Sequence, residues 1–419
     1  MNIKKISFFL IILIFPITTS AFTRSPITSI KGGNFPFSSS PDYGVSNYNI
    51  TQNVKYQVEI NFTLTHKSIA SRQYWLKFSR LNDRQPNSTL TQYSGPYQES
   101  ELMYSNINIP SYLVRDEFNN TYDLFNTTLN NEGQITLDQL YYIKLNEVDY
   151  NDINELDIGT YNFSDEIFDL YCNRSETYYE RNNAALINES NNIVDPGDNP
   201  IEKAKKIYDW VCNYLTYNDS MPDQEMGALW AYQNKQGDCS EYSTLMITLL
   251  RIQNIPARKV TGFCISNNPA TRPIIGKEYV FSSTKSGGIS SSNFLGHAWV
   301  EYYVPEIGWI ACDPTWYGSG YEYFNRVDYL RLNFNVGQWF SIPVLPDVSE
   351  FPNPCIVYQE NLFDYSYQVK LTVLESNLMP LPQFPFLLIL FIGVGVAAVL
   401  ITIILFIRFK RKNSLYEYN

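Results

Sequence analysis

Three residues of this chain, Cys239, His297 and Asp313, have the types and order that thiol-based acyl chemistry requires. Cys239 lies in "QGDCSEYSTLMITLLR", residues 236–251. With Asp238 as N-cap and Glu241 three residues on, the segment has a capping-box arrangement and Cys239 becomes the first helical residue. At that position unpaired N–H groups and the positive end of the helix dipole favour a thiolate. Cysteines at helix N-termini are still mostly structural, so a nucleophile also needs a base. The chain has two histidines, His66 and His297. His66 continues the apolar face of a strand and reads as a strand-end side chain. His297 opens "HAWVEYYVPEIGWIACDPTW", where His297, Trp299, Glu301 and Tyr303 share one strand face and Ala298, Val300, Tyr302 and Val304 the other.

Register decides whether Asp313 can serve His297. A five-residue loop from Val304 to Gly308 pairs Tyr303 with Trp309 and so Trp299 with Asp313. Asp313 then lies diagonal to His297 on the same face, about 7–8 Å away between Cα atoms. A four-residue loop would put the two on opposite faces. In the favourable register Asp313 fixes the tautomer and orientation of the imidazole, and Cys312 points inward as a core residue.

Elements that must hold these residues are legible around them. Asn199 is an N-cap with Pro200 at the first helical position and Glu202 three after the cap; Ala204, Ile207, Tyr208, Val211 and Leu215 form one apolar stripe. A shorter helix is expected through "QEMGALWAYQN". The Cys239 helix buries Tyr242, Leu245, Met246, Leu249 and Leu250 and stops at Asn254, a residue that tolerates the left-handed conformation. Upstream, "YQVEINFTLTH" alternates strictly from Tyr56 to His66, a half-buried strand with the sequon at Asn61 on its polar face. Further short runs separated by turn clusters make 50–175 a β-sandwich-like domain. "YSYQVKLTV" alternates again and could complete either domain.

The blocks "GDCSEYSTLMITLLRIQNIPARKVTGF" (237–263), "GHAWVEYYV" (296–304) and "GWIACDPT" (308–315) together resemble the transglutaminase-like superfamily, relatives of papain-type thiol enzymes. Asn254 stands where the family usually has a glycine before "IPAR". The resemblance implies an α+β fold in which a Cys-bearing helix packs on an antiparallel sheet carrying His and Asp. It also implies a catalytic triad of Cys239, His297 and Asp313. The implied reaction is acyl transfer: the thiolate attacks an amide or peptide carbonyl, and water or an amine resolves the thioester. The expected oxyanion site combines the Cys239 N–H with an upstream side chain, Tyr217, Gln224 or Trp230. The expected partner is a protein or peptide substrate. No EF-hand-like run appears, so calcium dependence is not carried over; no cofactor and no metal ligand is expected. The alternative is a non-catalytic extracellular binding or adhesion module that retains the fold.

Both ends of the chain suggest a membrane. Residues 1–21 read as a signal peptide: Lys4 and Lys5, an apolar run from Ile6, then small residues at Ser20 and Ala21. Residues 386–407 carry no charge and are long enough to span a bilayer, with Arg408, Lys410, Arg411 and Lys412 placing a 408–419 tail in the cytoplasm. The expected plan is therefore a sandwich domain at 50–175 and a transglutaminase-like domain at 195–345. A β segment and Pro-rich stalk at 346–385 and one transmembrane helix follow. Sequons at Asn49, Asn61, Asn87, Asn119, Asn126, Asn162, Asn173, Asn188 and Asn218 suit an extracellular glycoprotein. A net charge of −11 makes nucleic acid a poor partner. Six cysteines at irregular spacing do not make a disulfide scaffold, and no CxxC pair suggests a structural zinc. An intramolecular disulfide such as Cys264 with Cys312 is a hypothesis that an extracellular location permits but does not require.

Overall fold

The alternation that begins at Tyr56 belongs to a strand of 18 residues, Asn49–His66, whose inward side chains from Val54 to Leu64 are fully buried. The computed structural model describes residues 48–81, 96–116, 118–150, 152–173, 178–222, 225–317, 322–337, 355–357, 362–379 and 399–408. Asn49–His66 pairs antiparallel with Gln134–Asp149 on one side and with Phe363–Asn377 on the other, so Val58 stands between Tyr141 and Leu371. Glu278–Ser286 pairs with the outer edge of Phe363–Asn377 and in turn with Ile289–Ser292. The "YSYQVKLTV" run is thus an interior strand of a seven-stranded sheet. It is hydrogen-bonded on one side to residues of the expected sandwich domain and on the other to a hairpin within 195–345.

A second sheet of four strands, including Arg72–Ser79 and Thr121–Leu129, presents Tyr74, Leu76, Phe78 and Phe125 to the same apolar core. Two sheets facing across one core make the sandwich, and Asn61 is exposed on its outer face as expected. His66 ends its strand buried, with Nδ1 2.7 Å from the Tyr74 hydroxyl and Nε2 2.8 Å from the Ala70 carbonyl. Residues 155–173, the end of the expected sandwich segment, contain short helical turns instead of strands; Ile167, Phe168 and Tyr171 drop into the core beneath the helices.

Four longer helices follow: Ala184–Ile193, Pro200–Tyr214, Ala228–Asn234 and Cys239–Ile252. Pro200–Tyr214 has its capping box at Asn199 and Glu202 and buries Ala204, Ile207, Tyr208 and Val211. Cys239–Ile252 is buried from Glu241 to Arg251, because helices cover one side and a sheet the other. It ends through Asn254 at φ 57°, the left-handed stop read from the sequence.

The sheet beneath that helix has the order Gly308–Cys312, Gly296–Val304, Ala257–Cys264, Arg331–Val336. Tyr303 pairs with Trp309 and Val300 with Cys312, the favourable register. Gly262 pairs with both His297 and Asn333. A Cβ at 262 would lie 1.8 Å from the Leu332 carbonyl oxygen, so only glycine permits this approach. Cys264 and Cys312 are both free and buried, Cys264 opposite Arg331 and Cys312 with its sulfur 4.0 Å from that of Met246. This corrects the suggested disulfide between them.

Residues up to Leu378 cluster as one unit and those from Met379 as another. The expected signal peptide, residues 386–398 of the expected transmembrane helix, and Gln224 lie outside the described residues. Residues 399–408 are helical and exposed, and no helix among the described residues is long and apolar enough to cross a membrane.

Candidate active site

The site is built where the first turn of the Cys239 helix meets the Gly296–Val304 strand. Asp238 caps the helix: its side chain accepts from the Ser240 N–H at 2.9 Å, while Glu241 reaches back to the Asp238 N–H at 3.0 Å. A buried ion pair braces the same turn from below. Lys259 Nζ stands 2.6 Å from Glu225 and 2.6 Å from the Thr244 hydroxyl, and donates to the Ser240 carbonyl at 3.3 Å. Both side chains are fully buried.

Cys239 is partly exposed as a residue. Loss of hydration around its sulfur pushes the thiol well above its usual range, and the Asp238 carboxylate pushes the same way. The Ala298 N–H, which hydrogen-bonds the sulfur, works against them. The thiolate expected from the helix dipole is therefore not the resting form: desolvation and neighbouring carboxylates outweigh a dipole worth only about 1 kcal/mol. The same hydrogen bond places the thiol against the peptide that links His297 to Ala298.

His297 is buried, with Nε2 2.6 Å from Asp313 Oδ2. Asp313 ends the neighbouring strand and caps the short Pro314–Trp316 turn, its Oδ1 accepting from the Thr315 N–H at 3.0 Å. Burial alone would raise its carboxyl, but His297 and Arg331 outweigh that and hold it well below the usual carboxylate range. An ionised Asp313 accepts the proton of His297 Nε2, so Nδ1 is left as the basic nitrogen. Trp316 Nε1 lies 3.2 Å from the same Nε2, and its ring meets the imidazole edge-on at 6.2 Å, covering the His297–Asp313 contact.

Of the three oxyanion candidates, Tyr217 is half exposed, and its hydroxyl is held high by burial first and then by the charges of Cys239 and Asp238. Trp230 packs against the helical core. Sequence reasoning assigned no role to Trp316, Arg331, Lys259 or Glu225. Trp316 was visible at the end of the Asp313 block. Arg331 carried no signal, because it arrives from a strand that follows an intervening loop.

Comparison with known proteins places this site in context. Residues 188–314 match the family model described as the transglutaminase-like superfamily. The uncharacterized protein YebA of Bacillus subtilis (strain 168) is 32% identical over 130 residues, 29% of this chain and 16% of that protein. A protein-glutamine gamma-glutamyltransferase of Pseudomonas aeruginosa is 34% identical over 86 residues, 20% of this chain and 11% of that one. The chain thus spans less than a fifth of either relative. Among solved structures, a candidate cysteine protease from Cytophaga hutchinsonii aligns at TM-score 0.49 and 14% identity, over 80% of this chain and 96% of that chain. The periplasmic domain of TgpA from Pseudomonas aeruginosa aligns at 0.31 and 15%, over 65% and 94%.

Proposed function

We propose, from the match of residues 188–314 to the transglutaminase-like superfamily, that the chain is a thiol enzyme acting on amide or peptide bonds of a protein or peptide substrate. Cys239 is the nucleophile, His297 the acid and base, and Asp313 the residue that orients it. The observation that carries this reading is the 2.6 Å bond from His297 to Asp313, on the residue whose neighbouring N–H binds the Cys239 sulfur. Because the resting thiol is neutral, His297 Nδ1 takes the S–H proton as sulfur bonds to the substrate carbonyl carbon. The carbonyl oxygen becomes an oxyanion near the Cys239 N–H and Tyr217. As the C–N bond breaks, His297 returns the proton to the leaving amine, and a thioester remains. Water resolves it to an acid, or a primary amine resolves it to a new amide.

The test is an acyl probe followed by mass spectrometry. Purified protein given glutaminyl and peptide amides is expected to carry a thioester at Cys239 that hydroxylamine removes. Cys239→Ala and His297→Ala should carry none. Iodoacetamide labelling of Cys239 should also slow in His297→Ala. If no adduct forms between pH 5 and 9 and labelling ignores His297, the chain is a binding module with an inert thiol.

The enzyme is proposed to act outside the cell as a single-pass membrane protein, supported by the apolar segments at 1–21 and 386–407 and the basic run after them. Protease added to intact cells should digest the catalytic domain and spare a tag placed at residue 419. Protection of both would overturn the topology.

A further inference from the structure

The Asp313 carboxylate is shared. Arg331, buried on the Arg331–Val336 strand, donates to the same Oδ2 that His297 uses, from Nε at 3.1 Å and Nη2 at 2.8 Å. Its remaining Nη1 stands 2.7 Å from Asp328, which also accepts from the Tyr323 hydroxyl at 2.6 Å. The guanidinium lies 4.1 Å from the centre of the Tyr323 ring. His297, Asp313, Arg331 and Asp328 therefore form one row of alternating partners, closed off from water. Gly262 and Cys264 are the residues of the intervening strand on the line between Arg331 and His297, and the glycine lets the Leu332 backbone of the Arg331 strand come close.

We propose that Arg331 is a positioning residue of this site. Its two N–H groups fix Oδ2 of Asp313 toward His297 and draw off part of the carboxylate charge, so that Asp313 orients the imidazole without holding the whole of its charge against it. Asp328 sets how much charge Arg331 can lend. This rests on the Cys239–His297–Asp313 reading above and adds a fourth and fifth side chain to it. A carboxylate facing His297 alone would stabilise the imidazolium strongly and trap it; one whose Oδ2 already accepts two N–H bonds from a guanidinium stabilises it less. The titratable and polar groups that act on Cys239, His297 and Asp313 are Asp238 and Glu241 at the helix N-terminus, Tyr217 on its short strand, Trp316 on the turn, and Tyr208, whose hydroxyl reaches the Asp313 carbonyl at 3.3 Å.

The measurement is the titration of His297 by nuclear magnetic resonance in the intact chain, labelled at histidine only. Two histidines give two sets of signals, and His66, bonded to Tyr74 and Ala70, reports folding. Arg331→Met is expected to raise the His297 midpoint by about 1–2 pH units, the usual effect of removing a charge at this range. Asp328→Asn, which frees Arg331 to act more fully on Asp313, is expected to lower it. Arg331→Lys should fall between wild type and Arg331→Met. If the Met variant loses its His66 signal, the signs of the Asp328→Asn and Arg331→Lys shifts decide the matter. An unmoved midpoint, or shifts of one sign in Arg331 and Asp328 variants, overturns the proposal. Because the titration needs no substrate, failure of the enzyme reading shows instead as His297-independent chemistry at Cys239.

Discussion

At the scale of single residues, Asp313 tests the site most sharply. Asp313→Asn keeps the shape but cannot hold the Nε2–H tautomer, and with it the base at Nδ1 is lost. The expected result is a fall in turnover of about 10³–10⁴-fold with little change in substrate affinity, measured as kcat and KM on whichever amide the acyl probe identifies. The same carboxylate makes an acid-stability prediction. Its folded value lies below the unfolded one of about 3.9, so the stability it contributes is complete above that pH. It is lost as pH falls below about 4 and the unfolded chain takes up the proton. Urea midpoints of wild type should drop through that range, and those of Asp313→Asn should drop less. What made Cys239, His297 and Asp313 legible was locality: a cap and a helix, a strand with period two, and a loop whose length fixed a register. The charge state of the thiol was not legible, since burial, the largest influence on it, and Asp313 are brought by other elements, although Asp238 and Glu241 are its neighbours in sequence.

At the scale of elements, the Cys239 helix is held at its first turn by partners above and below. The capping box was readable because its two members are three residues apart. The brace below was not, for Glu225 and Lys259 are separated by 34 residues and meet only in the fold. Lys259→Met leaves Glu225 buried without its cation and is expected to cost about 3–5 kcal/mol. Adding Glu225→Gln should restore part of it, since the uncompensated charge is then gone. Denaturant unfolding of the two variants checks this, and equal losses would show that the pair is not the cause. Gly262 makes a second prediction of this kind. Gly262→Ala must push the Leu332 carbonyl away, at a cost of about 3 kcal/mol, and the displaced strand carries Arg331. A His297 midpoint that moves in Gly262→Ala, without any change of charge in the sequence, would tie strand spacing to the imidazole; an unchanged stability would show that the backbone yields freely.

At the scale of the whole molecule, the sandwich and the thiol-bearing fold are not two beads joined by a linker. The strand at Phe363–Asn377 lies between Asn49–His66, near the start of the described chain, and Glu278–Ser286, which precedes His297 by about a dozen residues. Sequence patterning found the alternation from Tyr365 to Val373 but left its partner open, because period two says which face is buried and nothing about the strand beside it. Val369 and Leu371 are buried in the core shared by the two sheets, and removing an interior strand would bare both neighbours along their length. A chain ending at residue 345, where the thiol domain was expected to stop, should therefore fail to unfold cooperatively, whereas one ending at 379 should keep the transition of the longer chain. Differential scanning calorimetry of the two truncations separates the cases. If the chain ending at 345 melts cooperatively and still forms the Cys239 thioester, the long sheet is an accessory to the site; if it does not, the geometry at His297 depends on a strand that begins 66 residues after it in the sequence.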